Sequence, residues 1–139
     1  MIHLSNSETE TEQIAYNMAQ SALPGAVICL RGELGAGKTV FARGFARGLG
    51  VLNHVTSPTF CIINEYTDSR LPLYHFDAYR VNAAGMQEIG FDDYLFGVGV
   101  CLIEWAENIR GLLPENAVWV DIKHTEAGNN ERVITIFNG

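Results

Sequence analysis

The feature that most constrains this chain is the string Gly32-Glu33-Leu34-Gly35-Ala36-Gly37-Lys38-Thr39, which satisfies G-x-x-x-x-G-K-[ST] at every defined position. The spacing has a physical reason. Small glycines let successive backbone N–H groups curl around phosphate oxygens, the lysine adds a point charge, and the threonine hydroxyl suits Mg²⁺. Such a loop works between a buried strand and a helix, and the flanks have both characters: Ala26-Val27-Ile28-Cys29-Leu30 is a clean apolar run, and Val40-Phe41-Ala42-Arg43-Gly44-Phe45-Ala46 continues with helical periodicity. The string therefore predicts a nucleoside-triphosphate-binding loop in an α/β fold, against the plainer reading of a glycine-rich turn with an exposed lysine.

A chain of 139 residues is the size of one domain and leaves little room for a separate substrate domain. Its 47% apolar and 18% charged residues are ordinary for a globular protein, and no stretch reaches the length of a membrane span. Residues 1–12 are polar and acidic, unlike a signal peptide, so a cytoplasmic location is expected. Cys29, Cys61 and Cys101 are far apart and read as buried small hydrophobes; His3, His54, His75 and His124 show no ligand spacing. The net charge of −7, with only two lysines, argues against direct tRNA or duplex binding, so a nucleic acid would be reached through another protein. Arg43, Arg47 and Arg31 read either as a small basic patch near the loop or, for the first two, as an i, i+4 solvated face.

Along the chain, Ser7-Glu8-Thr9-Glu10 is a capping-box pattern opening an amphipathic helix that Pro24-Gly25 ends. The helix after the glycine-rich loop is expected to stop near Gly48 or Gly50, and residues 51–58 read as a loop. Residues 60–66 and 73–77 have strand character at hairpin spacing; residues 86–89 and 92–96 read as short helices around Gly90; residues 98–103 form a buried strand. Residues 118–122 and 132–136 flank a turn and read as a closing hairpin. The expected fold is a P-loop NTPase fold of the α/β class in a single domain over 1–139, with a mixed, mostly parallel sheet flanked by helices and carrying antiparallel hairpins.

Hydrolysis or transfer also needs an acid at the end of a neighbouring strand to hold Mg²⁺ directly or through water. Glu104 and Asp77 both follow apolar strands and are the two candidates. Thr56-Ser57-Pro58-Thr59-Phe60 places hydroxyls around a proline, as a γ-phosphate-sensing switch does, or is an ordinary turn; Trp105 stacks on a base or partner, or belongs to the core.

Taken with Ser57-Pro58-Thr59-Phe60, His75-Phe76-Asp77-Ala78-Tyr79-Arg80 and Ile103-Glu104-Trp105, the glycine-rich string closely resembles the bacterial TsaE family, the ATPase of tRNA threonylcarbamoyladenosine synthesis. The resemblance covers nearly the whole chain, with Ala106 standing where the family often has proline, a change expected to affect local stiffness. It implies that Gly35, Ala36, Gly37, Lys38, Thr39 and Val40 hold the phosphates of ATP, that Thr39 and Glu104 ligate Mg²⁺, and that Lys38, Glu104 and Asp77 serve catalysis, Asp77 by ordering the site or assisting hydrolysis. It further implies that Glu8 and Thr11 approach the adenine, that Arg132 lies near the nucleotide, and that Ser57, Thr59 and Trp105 serve switching or partner contact. The implied role is ATP binding and slow hydrolysis supporting the TsaD and TsaB proteins as they transfer threonylcarbamoyl to adenosine 37 of ANN-decoding tRNAs. Slow hydrolysis alone is expected because no arginine is evidently placed as a finger in cis. The alternative is a small P-loop kinase of a metabolite or nucleotide, which would need an arginine-bearing lid that the scattered arginines do not suggest. A guanine-specific switch is disfavoured because Asn-Lys-x-Asp is absent.

Overall fold

The computed structural model describes residues 1–33, 35–56, 58, 62–127 and 130–138. The chain begins with a strand, β1 (Ile2–Ser5), which the sequence does not announce. Its apolar side chains Ile2 and Leu4 are 74% and 58% exposed, so they carry no core-facing pattern; antiparallel pairing with the last strand makes this segment a strand. Helix α1 (Glu8–Gln20) follows, and the Ser7 side chain caps it by accepting the Glu10 N–H. Glu10 reaches back to the Asn6 N–H at 2.6 Å, one residue earlier than the usual capping box. The helix closes at Ser21, before Pro24 is reached.

Strand β2 (Val27–Arg31) leads through the glycine-rich loop into α2 (Lys38–Gly48), which ends where expected. Then come the hairpin β3 (Ile63–Tyr66) and β4 (Leu73–Asp77), the short helices α3 (Ala83–Glu88) and α4 (Phe91–Leu95), and β5 (Val100–Glu104). A 3-10 helix, Ala106–Leu112, separates β5 from the closing hairpin of β6 (Val118–His124) and β7 (Arg132–Asn138). Ala106 is fully buried at the start of that 3-10 helix.

The strands form one sheet in the order β1-β7-β6-β2-β5-β4-β3. β2 pairs in parallel with β5 and β6, and β4 with β5; β1–β7, β6–β7 and β3–β4 are antiparallel. The sheet is thus mixed, but its pairings divide evenly instead of being mostly parallel. Parallel neighbours need crossovers, and these join only the central strands, whereas the hairpins and the N-terminal strand build both flanks antiparallel.

Both faces of the central strands are covered, so the strands read as continuous apolar runs. On one face Ile28, Leu30, Leu73, Leu102 and Val120 meet Phe41, Phe45 and Leu49 of the α2 segment and Ala15 and Ala19 of α1. On the other Cys29, Phe76, Cys101, Ile103 and Trp119 meet Met86, Phe91, Leu95 and Ile109. The helices α1 and α2 approach closely because Gly44 has no side chain: a Cβ there would lie 2.6 Å from the Glu12 Cα.

Arg43 and Arg47 both pair with Glu12 of α1, and Arg31 pairs with Asp121 and lies beside the Trp119 and Phe137 rings. These arginines are therefore tied into the fold and do not make a basic patch. Cys29 and Cys101 are buried as expected, and burial pushes both thiols up to about 12. Cys61 lies outside the described residues. No helix among the described residues is long and apolar enough to cross a membrane.

Candidate functional site

The site forms where β2, β5 and β4 end together. In the parallel registers Leu30 lies opposite Glu104, and Glu104 opposite Asp77, so both acids and the loop after β2 emerge at one edge of the sheet. Side chains alternate between faces along a strand, so His75 and Asp77 share a face with Leu73, and Glu104 shares one with Leu102. That is the face covered by α2, whose first residue is Lys38. The two acids that the sequence offered as alternatives thus converge on one place.

A cavity of about 920 Å³ opens there, and Gly35, Gly37, Lys38, Thr39 and Val40 form one wall. Gly37 is the N-cap of α2 with φ 111° and ψ 17°, a left-handed conformation that a side chain would strain. This turn presents the start of the helix, with its N–H groups and the positive end of its dipole, to the cavity. The Ala36 side chain is buried in the core and borders a second cleft of about 490 Å³, which leaves its backbone as the part that could meet a phosphate. Its carbonyl accepts a 2.8 Å hydrogen bond from Arg132 Nε, and the Gly35 carbonyl lies 3.5 Å from Arg132 Nη2. Arg132, at the start of β7, therefore braces the glycine-rich loop while also lining the cavity.

Lys38 is 6% exposed. Its Nζ donates to the Gly32 carbonyl and stands 3.6 Å from the centre of the Trp105 ring, a cation–π contact. Burial lowers its pKa below the ordinary 10.5, with Glu104, Glu107 and Asp77 acting in opposition. Trp105 is half-buried, tilts against the Tyr79 ring at 4.8 Å, and has φ 58°, the left-handed region in a non-glycine residue. Such a conformation costs about 1–2 kcal/mol and is held by its surroundings. Here it turns the chain out of the sheet directly after Glu104.

Opposite the loop, Asp77 and Glu104 line the cavity, and the Asp77 carboxylate accepts the Tyr79 N–H at 2.9 Å, ordering the exit from β4. Glu104 is buried and bonded to His75, Nε2 to Oε2 at 2.6 Å. Glu8 and Thr11 of α1 reach the same cavity; Thr11 is buried and shares a 2.7 Å hydroxyl hydrogen bond with Ser5. Pro58 lines it too, whereas Ser57 and Thr59 lie outside the described residues.

Among the described residues, Ile62, Tyr79, Arg80, Val81 and Asn130 of the cavity lining, and His75 behind it, were given no role in the site by sequence reasoning. Tyr79 and Arg80 line the cavity, and His75 holds an acid from the neighbouring strand. Arg80 follows shortly after a strand-end acid, a position that faces the same edge and was legible as such; the His75–Glu104 pairing depends on strand order and was not. Arg80 bears on the expectation that no arginine is evidently placed as a finger in cis, since it is exposed at the cavity wall.

Among the described residues no three His, Cys, Asp or Glu side chains gather as a metal cage. A hydroxyl from Thr39 and the carboxylates of Glu104 and Asp77 around one cavity nevertheless fit Mg²⁺, which takes one or two protein oxygens and completes its shell with phosphates and water.

A model of the family described as threonylcarbamoyl adenosine biosynthesis protein TsaE matches residues 5–134. A Bacillus subtilis protein named tRNA threonylcarbamoyladenosine biosynthesis protein TsaE is 51% identical over 91% of this chain and 78% of its own length. One of the same name from Treponema pallidum is 38% identical over 92% of this chain and 95% of its own. A crystal structure of Bacillus subtilis YdiB superposes with a TM-score of 0.85 at 44% identity, covering 100% of this chain and 86% of that one.

Proposed function

The chain belongs to the TsaE family, and from that premise we propose that it is a Mg²⁺-dependent ATPase of tRNA N6-threonylcarbamoyladenosine synthesis, folded over residues 1–139 as one P-loop NTPase domain. The observation that carries the reading is the single cavity on which the start of α2 and the ends of β4 and β5 converge, with Lys38 and Thr39 on one side and Asp77 and Glu104 on the other. The backbone from Gly35 to Val40 cradles the phosphates, and Lys38 moves from the Gly32 carbonyl to the phosphate oxygens. Thr39 and Glu104 would hold Mg²⁺, which would supply positive charge to neutralise the negative charge developing on the phosphates. Asp77 orders the β4 exit beside the reacting phosphate, and Glu8 and Thr11 border the base.

Hydrolysis by the chain alone is slow, and the partners are the TsaD and TsaB proteins in the cytoplasm, which contact the tRNA and transfer threonylcarbamoyl to adenosine 37. A protein of net charge −7 suits that indirect part. The kinase alternative is weaker because kinases close an arginine-bearing lid over the transferred phosphate. Among the described residues Arg80 and Arg132 line the cavity, and Arg132 is engaged with the loop, while the α3–α4 segment is anchored in the core through Met86 and Phe91. The test is ATP hydrolysis with and without the TsaD and TsaB pair. Stimulation that disappears in Lys38→Ala and Glu104→Ala supports the proposal; an unchanged rate on adding the pair refutes the partner-dependent mechanism.

A further inference from the structure

We propose that His75 is a positioning residue for the Mg²⁺ site, fixing the Glu104 carboxylate through a hydrogen bond across the sheet; this rests on the reading above of Glu104 as a Mg²⁺ ligand. His75 is fully buried in the middle of β4, and Glu104, the last residue of β5, is 4% exposed. The 2.6 Å contact joins Nε2 to Oε2. An ionised carboxylate only accepts, so Nε2 carries the proton and donates. Nδ1 is buried and has no hydrogen-bond partner among the described residues, so the pairing with Glu104 is what offsets the cost of placing an imidazole there.

The geometry makes this bond useful. In register His75 lies opposite Leu102, one same-face position before Glu104, so its ring reaches along the sheet toward the strand ends to meet the acid. Glu104 sits where the chain leaves the sheet at Trp105 with φ 58°. The donor on the neighbouring strand fixes its carboxylate at that exit. Histidine and carboxylate partnerships around metal sites orient the ligand, and losing the outer member typically costs about 10- to 100-fold in metal affinity. Here the order is reversed, with the carboxylate facing the metal and the imidazole behind it.

The test is Mg²⁺ titration of fluorescent ATP-analogue binding to the full chain, with His75→Leu, His75→Gln and Glu104→Gln as variants and thermal unfolding as the control on folding. The expected result is a Mg²⁺ midpoint raised about 10- to 100-fold in His75→Leu. Metal-free nucleotide binding should be little changed, and His75→Gln, whose amide still donates, should lie nearer the parent. An unchanged midpoint in His75→Leu beside a raised one in Glu104→Gln overturns the role of His75 alone. Unchanged midpoints in both overturn the Glu104 assignment and this inference with it. Should His75→Leu fail to fold, nitrogen NMR of the parent decides: a His75 Nε2–H resonance that shifts with Mg²⁺ and ATP but not with ATP alone supports the proposal. A resonance indifferent to the metal overturns it.

Discussion

Replacing Arg132 with methionine keeps the aliphatic stem but removes the guanidinium that ties the end strand to the glycine-rich loop. Of its contacts to the described residues of that loop, the Nε–H bond to the Ala36 carbonyl at 2.8 Å is well formed, whereas the Nη2 approach to Gly35 at 3.5 Å lies at the margin and adds little. A hydrogen bond with a charged partner contributes about 1.5–3 kcal/mol, and for a half-buried donor the lower end applies, about 1.5 kcal/mol. If the whole loss falls on the ordering of the loop for phosphate, ATP affinity drops about ten-fold. If it falls on the fold, the melting temperature drops by about 5 °C for a chain of this size. Calorimetric ATP titration and thermal unfolding of the same variant read both shares. Arg132→Lys separates hydrogen bond from charge, because an ammonium cannot reproduce the rigid Nε–H direction and should behave like methionine. The reasoning fails if Arg132→Lys matches the parent in both measurements, or if Arg132→Met keeps ATP affinity within about two-fold with an unshifted melting temperature.

Two further outcomes follow from packing and charge. Burial holds the Lys38 pKa below 10.5, while a triphosphate beside Nζ favours the charged form and raises it. Between the two values the complex binds more protons than the free protein, so ATP binding should take up protons in the alkaline range and cease to do so as pH falls toward neutrality. Calorimetry in buffers of contrasting ionisation heat checks this, and a proton balance flat with pH would contradict it. Gly44→Ala should destabilise the protein by about 1–3 kcal/mol in denaturant unfolding, because the added methyl drives α1 away from α2; a variant as stable as the parent would show that the helices slide apart without penalty.

Much of the site was legible because its chemistry is local. Lys38 and Thr39 must follow the glycine-rich loop, and Asp77 and Glu104 announce themselves as acids closing apolar runs. The α2 boundary and the β3–β4 and β6–β7 hairpins were readable from periodicity and turn residues. β1 was not, since its apolar residues face outward and only β7 makes it a strand. That the Ala36 side chain turns into the core was not readable either, because a motif does not say which side of a loop each side chain takes.

The sequence alone determined the glycine-rich loop between a strand and a helix, the α/β class and the pair of candidate acids, because each depends on residues adjacent in the chain. Tertiary structure decided that β4 and β5 are neighbours in parallel, with Asp77 level with Glu104, and that His75, distant in sequence, bonds the Glu104 carboxylate. It also decided that Arg132, from the far end of the chain, braces the loop. The physical reason is that strand order and register are set by burial across the whole sheet, a global balance that no local pattern encodes.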